Sequence, residues 1–135
     1  MQRVLPCLMF VRDQCGNAEE AMNLYVSAFE RSRVIDVDHF GPDDEGERGV
    51  KLARFELAGQ EVQAMDSSGP HPFSFTPAIS IVVECDREQE LDAAWATLAD
   101  GATVLMPLDA YDFSPKFGWL QDRFGVSWQL RLPLV

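Results

Sequence analysis

The segment GQEVQAMD at residues 59–66 aligns without a gap on GVSWQLRL at residues 125–132, and this match decides the fold. The alignment pairs Gln63 with Gln129 and begins with a glycine in both copies. Each copy follows the pattern of a short strand that leaves a tight turn. Two copies of one strand, near the middle and at the end of a 135-residue chain, indicate an internal repeat.

The segments before these two strands repeat one order of elements. In the first half, the apolar strand VLPCLMFV precedes an amphipathic helix, NAEEAMNLYVSAF, with Asn17 as its N-cap. Three strands follow: VIDVDHF, VKLARFEL and QEVQAM. In the second half the order is AISIVVEC, the helix REQELDAAWATLA, and the strands ATVLMPL, KFGWLQD and VSWQLRL, and Tyr25 aligns with Trp95. We therefore predict an α+β fold in which one domain contains two βαβββ modules, at about residues 1–68 and 77–135.

Each module is too small to cover both faces of its own sheet. One helix shields one face and leaves the other face apolar. We therefore expect two curved mixed sheets to face one another and to form a cleft. A cleft of this kind is where inward side chains of both modules could converge on a small ligand.

The charge of the chain limits the classes of partner. It has 22 acidic against 11 basic residues, a net charge of −11, and this field repels phosphate backbones and anionic lipid. We expect no nucleic-acid or membrane partner. No apolar run approaches the roughly 20 residues of a membrane span, and the N-terminus lacks the pattern of a signal peptide, so we expect a cytoplasmic protein.

The cysteines and histidines do not form a recognisable metal or disulfide motif. The three cysteines have no CxxC spacing, and only two histidines are present. Cys7 and Cys85 lie in apolar strands and are expected to be buried, whereas Cys15, in DQCGN, is expected to be exposed. His39 and His71 are expected to lie at the surface.

Three motifs support a resemblance to a known group: AEEAMNLYVSAF, SGPHPFSFTPAISIVVECD and GWLQDRFGVSWQL. They resemble the vicinal oxygen chelate superfamily of glyoxalase, bleomycin-resistance and extradiol dioxygenase proteins, in its 3-demethylubiquinone 3-methyltransferase-like branch. The resemblance implies two βαβββ modules per chain and a homodimer. A methyltransferase would carry a glycine-rich loop after a first parallel strand to hold S-adenosylmethionine. The sequence has no such loop, so we expect no methyltransferase activity.

The resemblance also implies where a divalent metal would lie, namely on the first and last strands of each module. Those positions here carry Cys7, Gln63, Ser80 and Gln129. A thiol, two amides and a hydroxyl supply no imidazole and no anionic oxygen, which divalent metals prefer. We expect no cofactor, and a divalent metal is disfavoured.

The candidate ligand-binding residues are Gln63, Ser80, Trp119 and Gln129. The alternative is that the two buried amides only satisfy neighbouring polar groups. Glu84 shares a strand face with Ser80 and, if it is inward and unpaired, is the candidate catalytic general base. The competing interpretation is a glutamate at the strand end that reaches solvent.

Three functions are compatible with these residues. The first is a metal-independent protein that binds a small apolar or planar molecule. The second is a metal-dependent lyase or dioxygenase, or an isomerase that uses Glu84. The third is a structural dimer without a ligand. The absent histidine and glutamate ligands favour the first.

Overall fold

The computed structural model describes residues 1–133 and divides into two compact units, one at Met1–Ser74 and a second that begins at Phe75. Each unit contains one four-stranded mixed sheet and one long α-helix in the order βαβββ. The predicted α+β fold with a doubled element order is therefore confirmed. Within residues 1–133, no helix is long and apolar enough to cross a membrane.

The first module begins with a strand and a single 3₁₀ turn, followed by the helix and three strands. Strand β1 pairs in parallel with β4, and the remaining pairs are antiparallel, in the order β1-β4-β3-β2. The bounds are β1 Cys7–Phe10, the 3₁₀ turn Arg12–Gln14, α1 Ala18–Ala28, β2 Arg33–His39, β3 Val50–Leu57 and β4 Gln60–Asp66.

The second module has the same topology without the 3₁₀ turn. Its sheet order is β5-β8-β7-β6, with β5 and β8 parallel. The third element, β6, runs to Tyr111 and is longer than the predicted strand ATVLMPL. The bounds are β5 Ile81–Glu84, α2 Glu88–Ala99, β6 Thr103–Tyr111, β7 Ser114–Gln121 and β8 Ser127–Arg131.

The strand register confirms the internal repeat. Gln63 on β4 and Gln129 on β8 each lie between one residue of a parallel neighbour and one residue of an antiparallel neighbour. The turns that precede these strands hold Gly59 and Gly125 at φ of 87° and 99°, a region that glycine adopts readily. The neighbours of the two glutamines are Cys7 and Arg54 in the first sheet, and Val82 and Trp119 in the second.

One face of each sheet packs against its own helix and forms the core. The buried residues of α1 are Ala18, Ala21, Met22 and Tyr25. The largest buried side chains of the second module include Trp128, Leu91, Leu98, Leu120 and Leu130. Because strand side chains alternate, the odd-numbered residues around Gln63 and Gln129 lie on the opposite, helix-free face.

The helix α1 is capped by a residue distant in sequence. The side chain of Asn17 makes no capping hydrogen bond, so the predicted N-cap is wrong in this respect. Instead, Oδ1 of the buried Asp66 accepts hydrogen bonds from the backbone N–H groups of Gly16 at 2.7 Å and Ala18 at 3.2 Å. Oδ2 accepts from Val50 at 2.8 Å, so one carboxylate joins β3, β4 and the start of α1.

The burial of two cysteines is opposite to the prediction. Cys7 is exposed because it begins β1 on the helix-free face, whereas Cys15 is buried with its thiol 3.5 Å from the hydroxyl of Ser68. Cys85 is buried as predicted. Its burial, together with the nearby carboxylates of Glu90 and Asp86, raises the pKa of the Cys85 thiol.

Candidate functional site

Four polar or aromatic side chains form a hydrogen-bonded group on the helix-free face of the second sheet, hereafter the serine–glutamine cluster. The hydroxyls of Ser80 and Ser127 lie 2.6 Å apart. The indole Nε1 of Trp119 donates to Ser127 Oγ at 2.8 Å, and Gln129 Nε2 donates to Ser80 Oγ at 3.3 Å. The structure therefore brings together three of the sequence-predicted ligand residues, and Ser127 joins them.

Ser127 could have been found from the strand pattern. It lies two residues before Gln129 on β8, and residues two apart on a strand share a face. Ser127 was predicted to lie in the strand VSWQLRL, but it was not selected as a site residue. Its hydroxyl is nearly fully buried and contacts both Ser80 and Trp119.

The amide of Gln129 retains hydrogen-bonding capacity. Its nitrogen donates to Ser80, while its Oε1 accepts no hydrogen bond from any residue between 1 and 133. The side chain is half-buried and lies directly across the strand pair from Trp119. An amide oxygen beside an indole ring is suited to accept a hydrogen bond from a planar polar molecule.

Glu84 lies at the end of β5, opposite Arg131 on β8, and two residues beyond the position that pairs with Gln129. Its Oε2 accepts a hydrogen bond from Arg131 Nε at 3.1 Å, and the Glu84 side chain is 53% exposed. The carboxylate is thus ion-paired and reaches solvent, the alternative that the sequence analysis weighed against an inward base. A catalytic role for Glu84 stays a prediction.

The helix-free face of the first sheet carries the equivalent glutamine in different surroundings. The side-chain amide of Gln63 is half-buried and forms no hydrogen bond within the part of the chain that the structure describes. Two residues earlier on the same face, Glu61 Oε1 accepts from Arg3 Nη2 at 2.6 Å. The other oxygen, Glu61 Oε2, is buried and has no hydrogen-bond partner among residues 1–133. Glu61 was not among the site residues predicted from the sequence.

The basic residues on these two faces are neutralised locally. Arg54 pairs across the β2–β3 ladder with Asp36, and Arg131 pairs with Glu84. The hydrogen bonds between Arg54 and Asp36 lower the pKa of the Asp36 carboxyl and raise the pKa of the Arg54 guanidinium. Neither arginine therefore offers an uncompensated positive charge to an anionic ligand on these faces.

The positions where a relative would hold a metal do not fit one here. Ser80 and Gln129 are hydrogen-bonded to each other, and Cys7 and Gln63 add only a thiol and an amide. Within residues 1–133, no three side chains of histidine, cysteine, aspartate or glutamate come together as a metal-binding group. Glu61 contributes a single carboxylate on the face of Gln63, whereas a structural zinc site has four protein ligands and a catalytic site has three.

The family is decided by a match over almost the whole chain. Residues 2–131 match the family described as 3-demethylubiquinone-9 3-methyltransferase. The chain belongs to this family. It is also similar to the PhnB protein of Bacillus cereus, a solved structure to which the same methyltransferase name is attached. The identity is 45% over 97% of this chain and 99% of that one, with a TM-score of 0.89.

More distant structures have the same fold. Protein PA1353 from Pseudomonas aeruginosa is 24% identical over 98% of both chains, with a TM-score of 0.77. The fosfomycin resistance protein FosX from Listeria monocytogenes is 12% identical over 99% of this chain and 94% of its own, with a TM-score of 0.63. No curated protein matches the chain. The predicted family is confirmed, and the predicted resemblance to glyoxalase and bleomycin-resistance proteins is confirmed at the level of the fold.

Proposed function

We propose that the protein binds a small molecule without a metal, in the manner of the glyoxalase and bleomycin-resistance proteins that share its fold. The observation that carries the proposal is unused hydrogen-bonding capacity on the helix-free faces. It belongs to the amide of Gln63, to Oε1 of Gln129 and to the buried Oε2 of Glu61. Of these atoms, only the Glu61 oxygen is fully buried, and buried polar atoms are nearly always paired, so this oxygen indicates a missing partner. The two half-buried amides are accessible to a ligand on the same faces.

The chemistry of these atoms defines the expected ligand. Amides donate and accept, and the Glu61 oxygen accepts only, so hydroxyl or N–H groups on the ligand are favoured. Trp119 adds an aromatic surface whose orientation is fixed by its hydrogen bond to Ser127. A small, planar and largely apolar molecule with one or two hydrogen-bonding groups meets these requirements.

The sheet topology supports a function other than methyl transfer. The only parallel pairs among residues 1–133 are β1–β4 and β5–β8, each at the edge of a four-stranded sheet. S-adenosylmethionine-binding sheets are doubly wound, with a glycine-rich loop between the first strand and a helix. The connection from β1 to α1 contains a single glycine, Gly16, and the connection from β5 to α2 reads CDR, with none. We take the family name as a label and not as the activity of this chain.

Metal independence is tested by elemental analysis. After dialysis, we expect well under one equivalent of zinc, iron, nickel or manganese per chain, because neutral ligands offset the desolvation of a dication poorly. About one equivalent of any of these metals, lost in Gln129→Ala, would overturn metal independence. That result would favour the alternative function, a metal-dependent lyase or dioxygenase.

The expected assembly is a homodimer in the cytoplasm. Large apolar side chains are exposed on the second module, including Ile79, Val82 and Val104, and patches of this kind often mark interfaces. The three cysteines are free thiols, in keeping with a reducing compartment. Sedimentation at micromolar concentration tests the dimer, and a clean monomer would exclude it.

The binding proposal is tested by substitution of Gln129. A thermal-shift screen of small planar compounds first supplies a ligand, and calorimetry then measures its affinity for variants. We expect Gln129→Leu to weaken binding by roughly 1–3 kcal/mol, the cost of leaving a buried ligand group unpaired. The matched control is Gln89→Leu, on the exposed surface of α2. Equal affinities for wild type and Gln129→Leu, or no stabilising compound at all, would contradict the proposal.

A further inference from the structure

A polar cavity lies within the first module. Its volume is about 300 Å³, at the lower end of the range for ligand pockets. It is formed by the connection between β1 and α1, the loop before β3 and the segment that follows β4. The side chains at its wall are those of Arg12, Arg48, Cys15, Ser67 and Ser68.

Two arginines in this cavity have no acidic partner. Among residues 1–133, neither Arg12 nor Arg48 forms an ion pair with a carboxylate. Arg12 Nη1 donates to the carbonyl of His71 at 3.3 Å, and Arg48 Nη2 donates to the carbonyl of Cys15 at 3.0 Å. Five other arginines do pair with acidic groups: Arg3, Arg33, Arg54, Arg87 and Arg131.

Most of the donors on these two guanidinium groups are therefore unused. A guanidinium carries five N–H donors, and each of these two groups donates one hydrogen bond to a backbone carbonyl. In a chain with a net charge of −11, two adjacent unpaired cations are a local exception. A guanidinium group binds anionic oxygens best, because the hydrogen bonds that it donates to them are charge-assisted.

The backbone around the cavity holds Arg12 in place. Arg12 has a φ of 55°, in the left-handed region that costs an ordinary residue about 1–3 kcal/mol. Strain of this size persists only where the surroundings determine the conformation, and here the 3₁₀ turn and the bond to His71 do so. Arg48 is positioned by its hydrogen bond to the carbonyl of Cys15, and its side chain lies beside Gly16.

The hydroxyl groups complete a polar wall. Ser67 Oγ lies 2.7 Å from His71 Nε2, and Ser68 Oγ lies 3.5 Å from the thiol of Cys15. The nearest carboxylate in these contacts is that of Glu47, whose Oε2 accepts from the backbone N–H of Ser68 at 3.3 Å. Glu47 thus occupies a donor that an incoming anion could use.

We infer that this cavity, hereafter the arginine pocket, binds the oxyanion group of a small molecule, a phosphate or a carboxylate. Arg12 and Arg48 hold the charge, and the hydroxyls of Ser67 and Ser68 add neutral hydrogen bonds. The inference does not depend on the proposed function, because it uses none of the residues on the helix-free faces.

Inorganic phosphate is the first probe, titrated at constant ionic strength and followed by NMR of the backbone amides. We expect saturable shifts at residues 67–69, and a loss of affinity of about tenfold or more in Arg48→Gln, the usual effect of removing a charge-assisted bond. Arg33→Gln removes the same charge from a solvent-exposed ion pair in the same module and should leave the affinity unchanged. Arg12→Gln provides a second variant if Arg48→Gln fails to fold.

Acetate in a parallel titration distinguishes the two anion classes. Saturable binding of phosphate alone assigns the arginine pocket to phosphate groups, and saturable binding of acetate alone assigns it to carboxylates. Shifts that rise linearly with both anions, or an equal loss of affinity in the Arg48→Gln and Arg33→Gln variants, would overturn the inference.

Discussion

At the residue scale, Asp122 organises the turn between β7 and β8. Its Oδ1 accepts from the backbone N–H groups of Phe124 at 2.9 Å and Val126 at 3.0 Å, and its Oδ2 accepts from Trp128 Nε1 at 2.9 Å. The motif QDRFG predicts a turn or a surface ion pair, and the turn is correct. The carboxylate is buried, however, because the turn folds beneath the indole of Trp128.

We predict that Asp122→Asn lowers the free energy of unfolding by about 1–3 kcal/mol, because an amide nitrogen cannot accept from a backbone N–H or an indole. Urea denaturation measures the change. Asp112→Asn, in the exposed turn before β7, is the matched control and should have little effect. Equal midpoints for the two variants would show that the buried bonds of Asp122 contribute nothing to stability.

Single residues show how far the sequence could predict the site. Gln63, Ser80 and Gln129 were selected because the resemblance implies site positions on the first and last strands of each module, and Trp119 was selected as an aromatic residue of the final hairpin. The arginine pocket was missed because its walls come from three connections that have no periodicity. Only the folded backbone brings those connections together, so no local pattern could indicate the cavity.

At the element scale, α2 packs on its sheet through one aromatic ring. A β-carbon placed on Gly118 of β7 would lie 2.5 Å from Cζ3 of Trp95, so the ring rests directly on the glycine. In the first module the equivalent strand position is Ala53, which is also small and is fully buried. A small residue beneath the helix is thus common to both modules.

We predict that Gly118→Ala destabilises the protein by about 1–3 kcal/mol, the usual cost of overpacking. Trp95→Leu in the same chain should recover part of that loss, since it removes the colliding ring, and a double-mutant cycle in urea measures the coupling. Gly41→Ala is the control, because its nearest neighbour would be 3.8 Å away. Strictly additive effects of Gly118→Ala and Trp95→Leu would contradict this packing.

Elements were predicted well where hydrophobic periodicity is strong and poorly where tertiary contacts decide. Both helices and all eight strands follow from periods of 3.6 and 2 residues. Asn17 is the N-cap residue of α1, as predicted, but the capping oxygen comes from Asp66, about 50 residues further along the chain. The extension of β6 to Tyr111 reflects its pairing with β7 rather than its own composition.

At the scale of the whole molecule, two modules with one topology carry different chemistry. The neighbour of Gln63 on the antiparallel side is an ion-paired arginine, Arg54, whereas Gln129 has the indole of Trp119. The residue opposite Gln63 is therefore charged, whereas the residue opposite Gln129 is aromatic. The two modules therefore differ in the chemistry that each presents beside its glutamine.

The three tryptophans offer the most direct test of small-molecule binding. Trp119 lies on the helix-free face, whereas Trp95 and Trp128 pack on the side of α2. NMR of the three indole N–H groups during titration with planar compounds reports on both sides of one sheet. The account predicts at least one compound that shifts the Trp119 signal saturably and leaves the other two in place. A library in which no compound moves Trp119, or in which only Trp95 and Trp128 respond, would contradict it.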